Sequence, residues 1–293
     1  MGSRVSRAGL SLSEHGGCLV VVGTPLGNLG DFSPRGQQAL ATADVIACED
    51  SRRTGKLLSH CGVSGKRLIV VNDHTEVPQL EQVVGEIRQG NTVVLVSDAG
   101  MPTVSDPGRR LVSAVVEAGL LVEVVPGPTA AITALSFSGF SADRFVFEGF
   151  LPRKGVLRQA RVQGIADELR TVVLYEAPHR LRRTLTDLSV ACDESRLVVV
   201  GRELTKLHEE AIRGTLKAVG DHFAEVEPRG EFVVVLSGAE PRKVVFDDDS
   251  LRLALRQGIA AGLSRRDAVV EVVAMSGKPK RYVYELAVSL GEG

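Results

Sequence analysis

Thr92-Val93-Val94-Leu95-Val96 runs straight into Ser97-Asp98-Ala99-Gly100-Met101-Pro102, and the reading of the chain turns on this stretch. The first five residues are apolar or β-branched throughout rather than alternating, as in a strand covered on both faces of a parallel sheet. The same device occurs twice more. Leu120–Val125 leads into Pro126-Gly127-Pro128-Thr129-Ala130-Ala131, and Leu19–Val22 into Gly23-Thr24-Pro25-Leu26-Gly27-Asn28-Leu29-Gly30-Asp31. Open sheets hold ligands at the carboxyl ends of parallel strands. Small residues there let bare N–H and C=O groups approach the ligand. Three such turns in one half of the chain imply a small-molecule cleft.

Working outward, further strand-like runs lie at Asp44–Cys48 and Leu68–Val71, with helical patterns over Pro34–Ala43, Pro78–Arg88 and Pro107–Ala118. Ser33 before Pro34 is an N-cap signature, and Gly119 closes the last of these helices. Strand–helix alternation predicts a parallel sheet with right-handed crossovers. A second α/β set follows, with strands at Arg144–Phe147, Thr171–Tyr175, Leu197–Val200 and Glu231–Leu236 and helices over Leu157–Leu169 and His179–Ala191. Beyond a charged linker, Leu251–Ala261, Ser264–Met275 and Pro279–Leu290 read as three short helices, with Ser250 and Ser264 as N-caps. The expected organisation is a disordered extension over 1–17, an N-terminal α/β domain over 18–139, a second α/β domain over 140–240, and a linker with a helical domain over 241–293.

The 293 residues exceed what one core usually holds. A formal net charge of −1 excludes a global basic field. Locally, residues 150–183 carry eight Lys/Arg against three Asp/Glu, a concentration suited to a nucleic-acid backbone. The four cysteines (Cys18, Cys48, Cys61, Cys192) form no C-x-x-C pair, which fits a reducing cytoplasm. No apolar stretch approaches the ~20 residues of a membrane span. The glycines at 23, 27 and 30 do not form a dinucleotide fingerprint, and Gly65-Lys66 lacks the rest of a phosphate-binding loop. A ligand held by main-chain contacts rather than by its phosphates is favoured.

The first turn resembles the opening signature of the RsmI-type ribosomal RNA methyltransferases, a family of the tetrapyrrole-methylase fold. Further matches follow in order. They are Glu49-Asp50-Ser51-Arg52, Asp73-His74, Ser97–Pro102, Asp106-Pro107-Gly108, Pro126-Gly127-Pro128, Glu148-Gly149-Phe150-Leu151-Pro152, Tyr175-Glu176, His179-Arg180 and Arg202-Glu203-Leu204-Thr205-Lys206. The resemblance covers about residues 18–240 and is specific because the motifs are many and ordered. The tail resembles the small helix-turn-helix appendage of the family. Departures are minor, such as Ser51 and Met101 where Thr is common.

The resemblance implies two α/β domains clasping S-adenosylmethionine in a trough between them, and methyl transfer to a ribose 2′-hydroxyl of a cytidine in 16S ribosomal RNA of the small subunit. It implies a homodimer too. By fold analogy Pro25, Gly100, Met101 and Val104 line one side of the cofactor, Thr129 and Ala130 contact its amino-acid or adenosine portion, and Leu174 and Leu204 contribute from the second domain. A ribose hydroxyl is a poor nucleophile, so a base is sought; Glu49, His74 and Glu203 are the candidates, with Asp73 beside them. Asp50 is equally explained as a helix cap. Arg52, Arg153, Lys154, Arg180, Arg202 and Lys206, with Arg158 and Arg161, are the candidate RNA contacts, since guanidinium suits phosphate. No histidine or cysteine pair has metal-ligand spacing, so a metal-free mechanism is expected. Two other readings stay open: a tetrapyrrole C-methyltransferase acting on a corrinoid precursor, and a non-catalytic ribosome-assembly factor.

Overall fold

The computed structural model describes residues 16–240 and 246–290. The expected extension therefore lies almost wholly outside the described residues. Chain contacts divide the protein into one unit ending at Ala239 and another beginning at Glu240.

The first sheet takes β1 (Cys18–Val22), β2 (Val45–Cys48), β3 (Arg67–Val70), β4 (Thr92–Val96) and β5 (Leu121–Val125) in the order β3-β2-β4-β1-β5, every pair parallel. Alternate side chains serve two cores. Val20, Val22, Ile46 and Val94 pack under α1 (Pro34–Thr42) and α2 (Ser51–His60). Leu19, Val21, Ala47 and Leu95 pack under α3 (Glu76–Arg88) and α4 (Arg109–Glu117). Each such fully buried aliphatic side chain contributes about 1.5–3 kcal/mol. Because the strands run in parallel, the turns after β2, β4, β1 and β5 emerge side by side along one edge.

Helix α4 starts two residues later than the Pro107 signal predicts. Gly108 adopts φ +111, and a Cβ there would come 2.7 Å from Leu95, so the chain turns before it coils. Its free N–H groups are capped from α3 instead: buried Glu76 accepts from Arg110 N at 2.7 Å and Leu111 N at 3.1 Å.

Five further strands form the second sheet: β6 (Phe145–Phe150), β7 (Thr171–Glu176), β8 (Leu197–Arg202), β9 (Glu210–Thr215) and β10 (Phe232–Leu236), ordered β6-β7-β10-β8-β9. Only β6 and β7 are parallel; the other pairs are antiparallel. Strand β9 escapes the sequence reading because Glu210-Ala211-Ile212-Arg213-Gly214-Thr215 is a polar, half-exposed edge. Helices α6 (Val156–Asp167), α7 (Pro178–Ala191) and α8 (Leu216–Glu225) cover one face. On the other lies α5 (Ala130–Ser138), whose Ala131, Ala134 and Leu135 pack on Val173, Val199 and Val233. The chain thus crosses from one sheet to the other at Pro126–Thr129. Register pairs Phe232 with both Glu176 and Arg202, so the ends of β7 and β8 and the start of β10 share one edge.

The second unit contains α9 (Asp248–Ala260), α10 (Arg265–Ser276) and α11 (Lys280–Ser289) around Leu251, Leu255, Val269, Val272 and Val283. Ser264 caps α10 as expected, accepting from Asp267 N at 3.1 Å. The cap of α9 is Asp247 rather than Ser250, whose own N–H donates to Asp247 at 2.9 Å. Among the described residues no helix is long and apolar enough to cross a membrane.

Candidate active site

The turns at the ends of β1, β4 and β5 lock together through backbone. Thr24 and Gly100 exchange two main-chain hydrogen bonds, of 2.8 and 3.1 Å. The Thr24 hydroxyl donates to the Ser97 carbonyl at 3.2 Å. Gly23 and Gly127 meet face to face, since a Cβ on Gly23 would fall 2.6 Å from the Gly127 Cα. Only glycines fit there. Beside this knot opens a cavity of about 450 Å³, a size ordinary for a small-molecule site.

One wall comes from the first sheet edge: Leu26, Glu49, Asp98, Gly100, Met101 and Val104. Thr129 and Ala130 form the hinge side, and the second sheet edge supplies Tyr175, Leu204 and Phe232. Six of the eight expected cofactor contacts (Gly100, Met101, Val104, Thr129, Ala130, Leu204) therefore sit on this wall. Pro25 lines a smaller hollow of about 220 Å³ that shares Leu26, Arg53 and Asp98 with it. Leu174 does not face the cavity. It is fully buried in the core under α7, and strand alternation turns Tyr175 to the cavity instead.

Val104 and Leu204 are presented in the same unusual way. Each is flanked by two left-handed non-glycine residues, Thr103 (φ +74) and Ser105 (φ +62) in one loop, Glu203 (φ +51) and Thr205 (φ +64) in the other. Such conformations cost about 1–3 kcal/mol each and gather at functional sites. The second of these loops is tied to the turn after β1: Asn28 N donates to Thr205 Oγ1 at 3.1 Å.

Among the charged groups on the wall, carboxylates prevail. Glu49 accepts from Asp98 N at 3.2 Å, and Asp98 accepts from Asp50 N at 3.1 Å and pairs with Arg53 at 3.4 Å. Burial raises both carboxyls above their ordinary range, Arg53 opposing in each case. Asp106 goes furthest: burial first, then the neighbouring Glu49 charge, push it up to about 7. The sequence shows Asp106-Pro107-Gly108 as a motif but gives Asp106 no role, because its placement depends on the strained Thr103–Pro107 turn. Tyr175, in sequence, is likewise only a motif member. Its hydroxyl accepts from Ala131 N at 3.1 Å, steadying the start of α5.

The other candidate bases stand apart. His74 is exposed in the turn after β3, its N–H donating to Asn72 Oδ1 at 3.0 Å, and Asp73 is exposed beside it. Glu203 turns away from the cavity: burial pushes its carboxyl up, but donation by Lys206 at 3.0 Å and Glu231 N at 2.9 Å holds it below the ordinary range. Asp50 is the N-cap of α2, accepting from Arg52 N at 2.8 Å.

The basic candidates divide in two. Arg52, its side chain 87% exposed, reaches solvent while pairing with Asp50, and Arg153 and Lys154 are exposed. Arg180 is committed to Glu176 at 3.2 Å and to the Leu151 carbonyl. Arg202 donates to the Arg229 carbonyl at 2.7 Å, and Lys206 pairs with Glu203 and Glu231 at 3.0 and 2.8 Å. Arg158 is not a surface residue. It is 3% exposed and bound to Asp187, Thr184 and the Pro152 carbonyl, because its guanidinium organises the packing of α6 on α7.

The wall fits a sulfonium nucleoside. Gly100 presents bare backbone to the cavity, and the carboxylates suit a cation. Among the described residues no group of three His, Cys, Asp or Glu is placed to hold a metal ion.

Comparison with known proteins identifies the family. The family model of tetrapyrrole (corrin/porphyrin) methylases matches residues 18–220. Curated relatives named ribosomal RNA small subunit methyltransferase I include those of Synechocystis sp. (45% identical; 94% of this chain, 98% of the relative) and Escherichia coli O157:H7 (41%; 95% and 97%). That of Mycobacterium tuberculosis is 42% identical over 92% of this chain and 94% of its own. Among solved structures, a cobalt precorrin-4 methyltransferase superposes with TM-score 0.59 at 18% identity, covering 75% of this chain and 94% of that one. A Thermus thermophilus uroporphyrin-III C-methyltransferase complexed with S-adenyl homocysteine gives 0.56 at 19%, covering 76% and 97%. At such identities the structures speak for the fold, while the near full-length relatives speak for the group: the chain belongs to the tetrapyrrole methylase family and, within it, to the ribosomal RNA small subunit methyltransferase I proteins.

Proposed function

We propose that this protein transfers a methyl group from S-adenosylmethionine to the ribose 2′-hydroxyl of a cytidine in 16S ribosomal RNA of the small ribosomal subunit. The observation that carries the reading is the acid-lined cavity between two sheet edges, with bare backbone at Gly100, in a chain 38–45% identical to named ribosomal RNA methyltransferases along nearly its whole length. S-adenosylmethionine, when bound, supplies a methyl group on a positively charged sulfur. The residues of this chain do the rest. Gly100, Met101, Val104, Thr129, Ala130 and Leu204 hold the nucleoside against bare peptide groups. Glu49 and Asp98 balance the positive charge. Fixing the acceptor hydroxyl in line supplies much of the rate by orientation alone. Arg52, Arg153 and Lys154 are the exposed cations offered to RNA phosphates. Homodimerisation and a cytoplasmic location belong to the same reading.

A corrinoid-precursor methyltransferase has less support, because the tetrapyrrole enzymes among these solved structures share only 18–21% identity with this chain. Radiolabelled S-adenosylmethionine incubated with the protein and with small subunits from cells lacking the gene tests the proposal. The expected outcome is one added methyl on a single 16S cytidine nucleoside by fragment mass spectrometry. Label appearing only in an added tetrapyrrole precursor, or in neither, overturns it.

A further inference from the structure

Transfer forms an O2′–CH3 bond, breaks the S–CH3 bond to leave a neutral thioether, and obliges some group to take the O2′ proton. A protein base for this step needs a carboxylate on the cavity wall with a lone pair free of strong donors. Most wall carboxylates fail that test. Asp98 carries the Asp50 amide and Arg53. Glu231 carries Lys206 at 2.8 Å. Glu176, fully buried, is taken by Arg180, Thr184 and the Ala177 amide. Glu49 passes on one oxygen only, the other accepting the Asp98 amide at 3.2 Å. Among the described residues Asp106 has neither a cation nor an amide; it competes with the Gly100 carbonyl, 3.3 Å from Ser97 Oγ, for the single Ser97 hydroxyl proton.

Backbone geometry singles out the same residue. Asp106 follows left-handed Ser105, and the loop is closed behind it by Thr103 N donating to the Pro107 carbonyl at 3.2 Å. That closed, strained turn holds Asp106 on the cavity wall, where it feels Glu49 and Asp98 from the first sheet edge and Glu231 from the second. On the reading proposed above, we propose that Asp106 is the catalytic base, accepting the proton that the ribose O2′ loses as the methyl group arrives.

Its proton affinity suits the task. Glu49, Asp98 and Glu231 raise it, Tyr175 faces it from β7 as a neutral hydroxyl, and Arg53 is the cation on the wall. With its carboxyl at about 7, Asp106 is half protonated in the free protein at neutral pH. A cation entering the cavity favours the charged form. Binding of S-adenosylmethionine therefore expels up to about half a proton at pH 7, whereas neutral-sulfur S-adenosylhomocysteine expels much less.

Two measurements on the full-length protein test the assignment. Calorimetric titration of each nucleoside in two buffers of different ionisation enthalpy counts released protons. Single-turnover methylation of small subunits between pH 5 and 9 gives the rate profile. Asp106→Asn is expected to lower transfer by about 100-fold or more, to erase the acidic limb and the proton release, and to leave the cofactor Kd within a few-fold. Asp106→Glu is expected to restore part of the rate, while Glu49→Gln keeps a proton release that depends on Asp106. An Asp106→Asn protein that transfers within threefold of wild type, or keeps its acidic limb, overturns the assignment. So does one that folds but no longer binds the nucleoside, which would place Asp106 in the binding wall. A wild type that methylates no small subunit overturns the underlying reading and the assignment with it.

Discussion

Gly23 and Gly127 touch backbone to backbone, with a Cβ on Gly127 falling 2.8 Å from Gly23 Cα. This contact joins the end of β1 to the crossover into the second sheet and sets how closely the turns around the cavity approach. Gly23→Ala and Gly127→Ala are therefore expected to overpack the knot, at a cost of about 1–3 kcal/mol. Thermal unfolding checks this; an unchanged Tm for both variants would contradict the contact.

Gly100 lies on the cavity wall at φ +84, where a Cβ would stand 3.2 Å from Leu26 and 3.3 Å from the Pro128 carbonyl. A β-branched residue is strained there and projects into the site. Gly100→Val is expected to abolish S-adenosylmethionine binding by calorimetry while far-UV circular dichroism stays native. Gly100→Ala, with less bulk, is expected to weaken binding by a smaller factor. Undiminished affinity in the valine variant would move the nucleoside elsewhere.

Most of the first sheet was legible because its strands are apolar runs ended by small-residue turns; Thr92–Val96 matches its predicted bounds. The second sheet was read less completely. Its β9 edge carries no apolar pattern, and nothing in the periodicity tells that β10 runs antiparallel between β7 and β8. Helix α5 follows the first sheet in sequence yet packs on the second, a tertiary choice that local pattern does not encode. Six of the cavity-lining residues were readable because they share turns with glycine and proline or sit in a quoted motif. The fates of Arg158, Arg180, Arg202 and Lys206 were not. Whether a cation stays open to solvent or pairs with a carboxylate depends here on partners tens of residues away, Asp187 for Arg158 and Glu231 for Lys206.

Burial of Asp106 has a consequence for stability that is separate from catalysis. Its folded-state carboxyl stands at about 7, above the unfolded value of about 3.8. A raised carboxyl contributes stability that is complete below the unfolded value and is lost as pH rises through about 7. Asp106→Asn removes the buried charge. The variant is expected to match wild type near pH 4 and to exceed it by up to about 10 °C in Tm at pH 8. Equal Tm differences at both pH values would mean that Asp106 is not shifted in the folded protein.

Lys206 holds two carboxylates together, and its stem covers Gly27, where a Cβ would fall 2.2 Å from the Lys206 Cγ. Lys206→Ala leaves Glu203 and Glu231 facing each other without their cation. The ion pair is partly exposed, so the expected loss is about 1 kcal/mol at neutral pH. It shrinks as pH falls and Glu203 protonates. Lys206→Met, which keeps the stem over Gly27, separates packing from charge: it should recover any part of the loss that is independent of pH.

Arg153 and Lys154 follow β6 with their side chains exposed, whereas Arg180 behind them is spent on Glu176 and the Leu151 carbonyl. If phosphates are neutralised here, the exposed pair does it. Each phosphate contact on unpaired RNA contributes a slope of about −0.7 to the dependence of log affinity on log salt. The double variant Arg153→Ala/Lys154→Ala is expected to bind small subunits more weakly at low salt and to flatten that slope by about 1.4. S-adenosylmethionine affinity should not change, because neither residue lines the cavity. An Arg180→Ala variant gives the opposite signature: a lower Tm, from the unpaired buried Glu176, with an unaltered salt slope. Filter binding across salt concentrations, read beside thermal unfolding, distinguishes the two, and a slope that flattens only in the Arg180 variant would reverse the assignment of the RNA-facing cations.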